Sequence, residues 1–272
     1  MRKIAFINQK GGVGKTTSTA NVGACLALLG RKVLLIDLDP QANLTMHLGI
    51  NAHNSDLSIY QIITGKRNPD EVLVKTAIKG LDLIPSTIEL ASAEIELVNT
   101  VGRETIVKFY VGDLIDKYDY VLIDCPPSMG LLTLNALTIV NEIFIPLQTE
   151  YFALQGVSKL LQTFDIVKKR LNDSLEITGI IPCLYDCRTK LGHEILEKIK
   201  EYFDDKVFNT TIRKNVKLSE SPSHGMPIMA YAPDSNGARD YTALTKEIIA
   251  QEESELNTEG EQASRFKEHA FK

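Results

Sequence analysis

The stretch Lys3-Ile-Ala-Phe-Ile-Asn-Gln-Lys10-Gly-Gly-Val-Gly-Lys15-Thr-Thr17 decides the fold. Ile4 to Ile7 is a short apolar run that reads as a buried strand, and Thr17 to Leu29, rich in Ala and Leu, reads as a helix. The glycines therefore lie where a strand hands over to a helix N-terminus, an end with partial positive charge and unpaired N–H groups. Gly11, Gly12 and Gly14, with Val13 between them, let the backbone turn tightly and bring its N–H groups onto phosphate oxygens. Lys15 reaches the terminal phosphates, the Thr16 hydroxyl is placed to ligate magnesium, and Thr17 completes the cradle. The usual pattern is G-x-x-x-x-G-K-[ST]. Here Gln9 replaces its first glycine and Lys10 adds a second lysine, which is the deviant form of the loop. The flanking strand and helix argue against the alternative of a glycine-rich turn with two surface lysines.

Downstream, Lys32-Val-Leu-Leu-Ile-Asp37-Leu-Asp39-Pro-Gln41 reads as a parallel strand buried on both faces, because its apolar residues are continuous rather than alternating. Asp37 and Asp39, two apart at its exit, are expected to point the same way. Beside a phosphate site two such carboxylates have a chemical use: holding magnesium and its water, and orienting the water that attacks the γ-phosphate. The alternative is an aspartate-rich strand exit that caps the next helix. Tyr120-Val-Leu-Ile-Asp124-Cys-Pro-Pro127 has the form of a Walker B strand, with Asp124 on the magnesium's water shell and the prolines ending the strand.

Further strands are expected at Leu81–Pro85, Glu142–Gln148, Leu175–Pro182 and Lys206–Phe208. Helices are expected near Ser58–Gly65, Ile88–Val98, Glu104–Lys117, Ala153–Leu171, Leu191–Tyr202 and Gly237–Ala250. This sustained alternation predicts a single α/β domain over residues 1–250, a mostly parallel, twisted sheet with helices on both faces and ligands at the carboxyl ends of its strands. Residues 251–272, with six Glu against three Lys/Arg, read as a disordered acidic tail.

The 272 residues are 44% hydrophobic and 24% charged, an ordinary globular composition. The N-terminus has no signal-peptide pattern and no apolar run is long enough to span a bilayer, so a cytoplasmic protein is expected. Four scattered cysteines lack a disulfide framework, and Cys183-x-x-x-Cys187 has no second pair to complete a zinc site. The net charge of −5 excludes a uniformly basic surface. Between Arg188 and Lys217, however, eight Lys/Arg face five Asp/Glu, which allows a local basic face.

Four motifs together resemble the ParA/Soj chromosome- and plasmid-partitioning ATPases: Lys10-Gly-Gly-Val-Gly-Lys-Thr-Thr17, Asp37-Leu-Asp39-Pro-Gln41, Asp124-Cys-Pro-Pro127 and Val216-Lys-Leu-Ser-Glu-Ser-Pro-Ser-His-Gly225. The first motif also belongs to MinD, the nitrogenase iron protein and other deviant P-loop groups; the last, with Tyr185-Asp-Cys-Arg-Thr-Lys-Leu-Gly192, narrows the match to the partition branch. The resemblance covers about residues 1 to 250. It implies an ATP- and magnesium-dependent sandwich homodimer in which Lys10 of one copy reaches the other's nucleotide, Asp39 positions the attacking water and Asn215 contacts adenine. It further implies non-specific binding of double-stranded DNA, nucleoid association and hydrolysis stimulated by a ParB-like centromere-binding protein. A lysine ahead of the glycines can stabilise phosphate charge in trans, though on residues alone it is equally a surface lysine.

By the same resemblance Arg188 and Lys217 belong to the DNA-binding face; Lys190, Arg213 and Lys214 join them from charge alone. The chain departs from the family at Ile212-Arg-Lys-Asn215, where Ile-Pro-Arg-Asn is usual. Starting at the first strand, it lacks the helix-turn-helix region of longer plasmid relatives, so operator binding is not expected. A MinD-like membrane ATPase would need a basic amphipathic C-terminal helix, which the Glu-rich tail does not offer, and no membrane partner is expected. An iron-protein-like reductase would need suitably placed cluster cysteines, and these are absent.

Overall fold

A computed structural model describes residues 1–53, 56–150 and 153–252. Eight strands form one sheet: β1 (Arg2–Phe6), β2 (Val33–Asp37), β3 (Val74–Lys75), β4 (Leu81–Ile84), β5 (Tyr120–Asp124), β6 (Glu142–Gln148), β7 (Glu176–Tyr185) and β8 (Ile212–Arg213), in the order β3-β4-β2-β5-β1-β6-β7-β8. Every neighbouring pair is parallel except β3 with β4. From β1 the order runs one way to β2 and β4 and the other way to β6, β7 and β8. The loop after β1 therefore emerges at the switch point, where ligands of open α/β sheets bind.

Alternate side chains of the strands feed two cores. Ala5, Leu34, Ile36, Val121 and Ile123 pack on one face with the helices Ile106–Ile115, Leu131–Ile139 and Lys190–Phe203. Ile4, Phe6, Val33, Leu35 and Leu122 pack on the other with the helix Lys15–Leu28 and the helix 236–252. Gly23 is required for this second layer, since a Cβ there would stand 2.7 Å from Leu35 Cδ2. Phe6, Phe144 and Phe208 continue the layer as an edge-to-face ladder with centroids 5.6 and 5.2 Å apart, each contact contributing about 1 kcal/mol beyond burial.

Three expectations are corrected. Lys206–Phe208 is not a strand: a 3₁₀ turn at Asp204–Lys206 is followed by one isolated bridge from Val207 to Ile180, and the strand lies later, at Ile212–Arg213. β2 stops at Asp37, so Asp39 belongs to the following turn and not to the strand. Residues 251 and 252 continue the last helix, because Glu252 accepts from Tyr120 Oη at 2.7 Å and pairs with Arg31 at 3.0 Å. The rest of the expected acidic tail, from 253 onward, lies outside the described residues. The helix Leu131–Ile139 was not foreseen; it is buried almost all round and so carries no amphipathic period.

Candidate nucleotide site and basic face

The loop between β1 and the helix Lys15–Leu28 is shaped from below by side chains of its neighbours. Asn8 Oδ1 accepts the Lys10 N–H at 3.0 Å while its Nδ2 donates to Pro146 O at 2.8 Å, which fixes the loop's entry to β6. Gln148, at the end of β6, donates from Nε2 to Gly12 O at 3.2 Å. Gly12 and Gly14 have φ of +71° and +101°, conformations that L side chains resist, and space above Gly11 and Gly12 is open to 4 Å. The helix then starts at Lys15 with no side-chain cap and no acidic residue in its first turn. Its N–H groups and positive dipole end are therefore turned to the open cradle, an arrangement suited to an anion. Val13 is buried beneath, and Lys15, only 7% exposed, folds back with Nζ 3.5 Å from Lys10 O.

Beside this cradle stand two fully buried carboxylates. Asp37 and Asp124 are register partners at the carboxyl ends of adjacent β2 and β5. Thr16 Oγ1 donates to Asp124 Oδ2 at 2.6 Å, while Asp124 Oδ1 has no partner among the described residues. Burial pushes Asp124 well above the ordinary carboxylate range and the charge of Asp37 adds to that; the Thr16 hydroxyl and Lys15 pull the other way. Burial also pushes Asp37 up to about 7, against the bonds it accepts from Thr45 and from the Asp39 N–H. Two desolvated carboxylates, one with an orphan oxygen, beside a threonine hydroxyl form an oxygen donor set that fits a hard divalent cation. Such a cation would offset the burial cost that otherwise drives these groups to bind protons. Asp39 is 6% exposed and held in its turn, its N–H on Asp37 Oδ1 at 3.1 Å and its own Oδ1 accepting from Gln41 N at 2.9 Å.

Lys10 takes no part in this cluster. Its ammonium bonds Gln148 Oε1 and lies 3.0 Å from Glu150 Oε2 at the rim, where the side chain is 50% exposed. Gln148 thus holds both lysine and loop, a role that no local pattern announced; only its place at a strand's carboxyl end pointed to it.

A cavity of about 950 Å³ opens from Gly12–Thr17 toward Met46, Tyr241 and Ile212–Val216. Asn215 is in its wall. Its Oδ1 caps the short helix Val216–Glu220 by accepting Leu218 N at 3.3 Å, and Nδ2 has no partner among the described residues. Arg213, where the family pattern has proline, grips Asp240 through Nε at 3.0 Å, and its own N–H also reaches Asp240 at 3.0 Å. That fork ties β8 to the last helix in the wall of the cavity, with the Arg213 side chain still 37% exposed.

Of the other basic candidates, two reach the cavity. Arg188 and Lys214 line it directly. Arg188, with its side chain 83% exposed, forks onto Asp186 at 2.8 and 2.9 Å, and this guanidinium holds the Asp186 carboxyl well below its usual range. Lys190 opens the helix Lys190–Phe203 and is exposed. Lys217 lies 2.9 Å from Glu220 and 5.7 Å from the Tyr231 ring centroid. Among the described residues no helix is long and apolar enough to cross a membrane.

A family model described as an AAA domain matches residues 1–177. The chain is 50% identical over 247 residues to the sporulation initiation inhibitor protein Soj of Bacillus subtilis, spanning 91% of this chain and 98% of that protein. It is also 50% identical over 251 residues to the chromosome-partitioning ATPase Soj of Treponema pallidum, spanning 92% and 98%. Among solved structures, one named as a cobyrinic acid a,c-diamide synthase of Mycobacterium smegmatis, with a bound ATP analogue and magnesium, matches with a TM-score of 0.82. It is 36% identical, over 93% of this chain and 96% of that one.

Proposed function

The chain belongs to the family of Soj and ParA chromosome-partitioning ATPases, and from that premise we propose how its residues perform the work. It is a partition ATPase. The observation that carries the reading is the buried Asp37–Asp124 pair at the Thr16 hydroxyl, beside Lys15 and an uncapped helix start. ATP lies with its phosphates in the Gly11–Thr17 cradle and its adenine toward Asn215. Thr16, Asp37 and Asp124 are the residues that would hold magnesium, and the ion would supply charge neutralisation at the phosphates. Lys15 neutralises the terminal phosphates from the helix side. Asp39 orients the attacking water from the rigid turn at the end of β2.

Lys10 acts on the nucleotide of a second copy, and its position at the rim, turned away from its own Asp37–Asp124 cluster, favours that role. The closed homodimer then presents Arg188, Lys190, Lys214 and Lys217 to the phosphates of double-stranded DNA without reading bases, which places the protein on the nucleoid. Hydrolysis, stimulated by a ParB-like centromere-binding protein, opens the dimer and releases the DNA.

The test is light scattering and duplex binding with ATP, with ADP and without nucleotide, alongside flotation on anionic vesicles. The reading expects a dimer and a strongly salt-dependent, sequence-indifferent DNA affinity with ATP only, and no vesicle binding. A monomer in ATP, or flotation without DNA binding, overturns it.

A further inference from the structure

The hydrogen bonds of Asp37 do not end at the phosphate site. Its Oδ2 accepts both the N–H and the hydroxyl of Thr45, at 2.9 and 2.8 Å, and the same hydroxyl accepts Ser86 N at 2.9 Å. Thr45 is fully buried in the short helix Asn43–His47, which the chain enters through Ala42 at φ +52°, an uncommon conformation for a residue with a Cβ. Any shift of Asp37 is therefore passed to this helix through two bonds on one oxygen.

The far side of that helix meets the segment bearing Lys217. His47, 1% exposed, lies with Nε2 3.5 Å from Ser221 Oγ, and burial lowers its pKa to about 4, so the ring is neutral at ordinary pH. Beyond it the backbones of Gly49 and Gly225 touch: a Cβ on Gly225 would stand 2.6 Å from Gly49 Cα, and one on Gly49 3.0 Å from Gly225 O. From the other side the P-loop helix grips the same region, with Asn21 Oδ1 accepting Ile228 N at 2.7 Å. Val216–Gly225 is thus packed against the helix held by Asp37, and the chain just after it, at Ile228, is held by the helix that starts the phosphate cradle. Packed interfaces of this kind leave little slack, and they move between discrete arrangements more readily than they deform.

We propose that Asn43–Gly49 is a transmission element, with Thr45 and His47 as positioning residues, that sets the placement of Val216–Gly225 according to whether the phosphate site is filled. Its consequence for DNA rests on the reading of Lys217 as part of the DNA face; the mechanical coupling does not.

The experiment uses the full chain, with Thr45→Val, Thr45→Ser and Gly225→Ala, each checked for cooperative thermal unfolding. Amide hydrogen exchange of residues 216–225 is read with and without magnesium ATP, and duplex affinity is read under the same conditions. In the parent chain ATP alters exchange across 216–225. Thr45→Val binds ATP within about threefold of the parent, but its exchange response is lost and the ATP-induced gain in DNA affinity falls about tenfold. Thr45→Ser, which keeps the hydroxyl, restores both, and Gly225→Ala reproduces the defect from the other end of the contact, which carries the test if the valine variant does not fold. A parent that responds in exchange without binding DNA overturns the DNA face and leaves the coupling standing. An exchange response that is absent in the parent, or unchanged in both Thr45→Val and Gly225→Ala, overturns the coupling.

Discussion

The phosphate site and the basic face, both proposed to meet anions, are built in opposite ways. Lys15 is 7% exposed and Asp37 and Asp124 are not exposed at all, whereas the side chains of Arg188 and Lys217 are 83% and 53% exposed. In the buried site each charge is set by its neighbours and burial amplifies every interaction. On the face Arg188 and Lys217 are each answered by a carboxylate two or three residues away, in water, where such pairs contribute little. The difference teaches that the first site is specified by position and the second by accumulation. Removing one group should disable the cradle but only weaken the face.

The sharpest way to break this contrast is Lys15→Ala. On the proposed reading the ammonium would make charge-assisted bonds to two phosphates at about 2 kcal/mol each, so ATP affinity should fall roughly a thousandfold, measured by calorimetry. Retained micromolar affinity would show that the buried lysine is no more critical than an exposed one. Asp39→Ala tests the same site for chemistry apart from binding: turnover should fall about a hundredfold while ATP affinity changes little, because the cradle and Lys15 already hold the nucleotide. Normal phosphate release would pass the water-positioning role to Asp37.

On the face, Arg188→Glu and Lys217→Glu should each lower duplex affinity about tenfold and leave ATP-driven dimerisation intact, seen by fluorescence anisotropy and light scattering. Equal loss on all duplex sequences is expected, with a shallower dependence on salt. A charge reversal without effect would remove that residue from the DNA face.

The two regions also differed in how legible they were. The cradle could be read because its parts are contiguous: a strand, three glycines, a lysine and a helix start leave few other structures open. β2 and β5 were readable for the same reason, each an apolar run closed by aspartate. Their pairing in register, which makes Asp37 and Asp124 one site, is a property of the sheet and carries no local signal. Gln148, Thr45 and Asn8 were invisible because they act through contacts 136, 8 and 138 residues away in the chain. On the face charge counting gives only the sign: that Arg213 pairs with Asp240, 27 residues on, is a contact no local pattern shows.

Titration sharpens the contrast further. Asp37 has its pKa raised from the ordinary carboxylate range to about 7, so in the absence of a cation the folded chain holds a proton that the unfolded chain has released. The stability tied to that proton is fully present below about pH 4 and is lost as pH rises through about 7. Urea unfolding in chelator should accordingly lose stability between about pH 4 and about pH 7 and level off above that, with a shallower decline in Asp37→Asn. Magnesium ATP should protect more at pH 8 than at pH 6, since the cation displaces the proton. Equal slopes in both proteins would show that Asp37 ionises normally.

The smallest effect is the most discriminating for the face, because its sign is at stake. Asp186 accepts from both the Arg188 guanidinium and the Arg188 N–H, the latter at 3.1 Å. If the carboxylate chiefly competes with DNA phosphate for the guanidinium, Asp186→Asn keeps the backbone turn through its amide oxygen and removes the competitor. Duplex affinity should then rise, by about threefold given the weakness of exposed pairs. If instead the carboxylate chiefly aims Arg188, the same substitution lets the side chain wander and affinity falls. Anisotropy at low and physiological salt decides between them: a gain that shrinks with salt supports competition, whereas a loss at both would mean that even this exposed cation is specified by position, as Lys15 is.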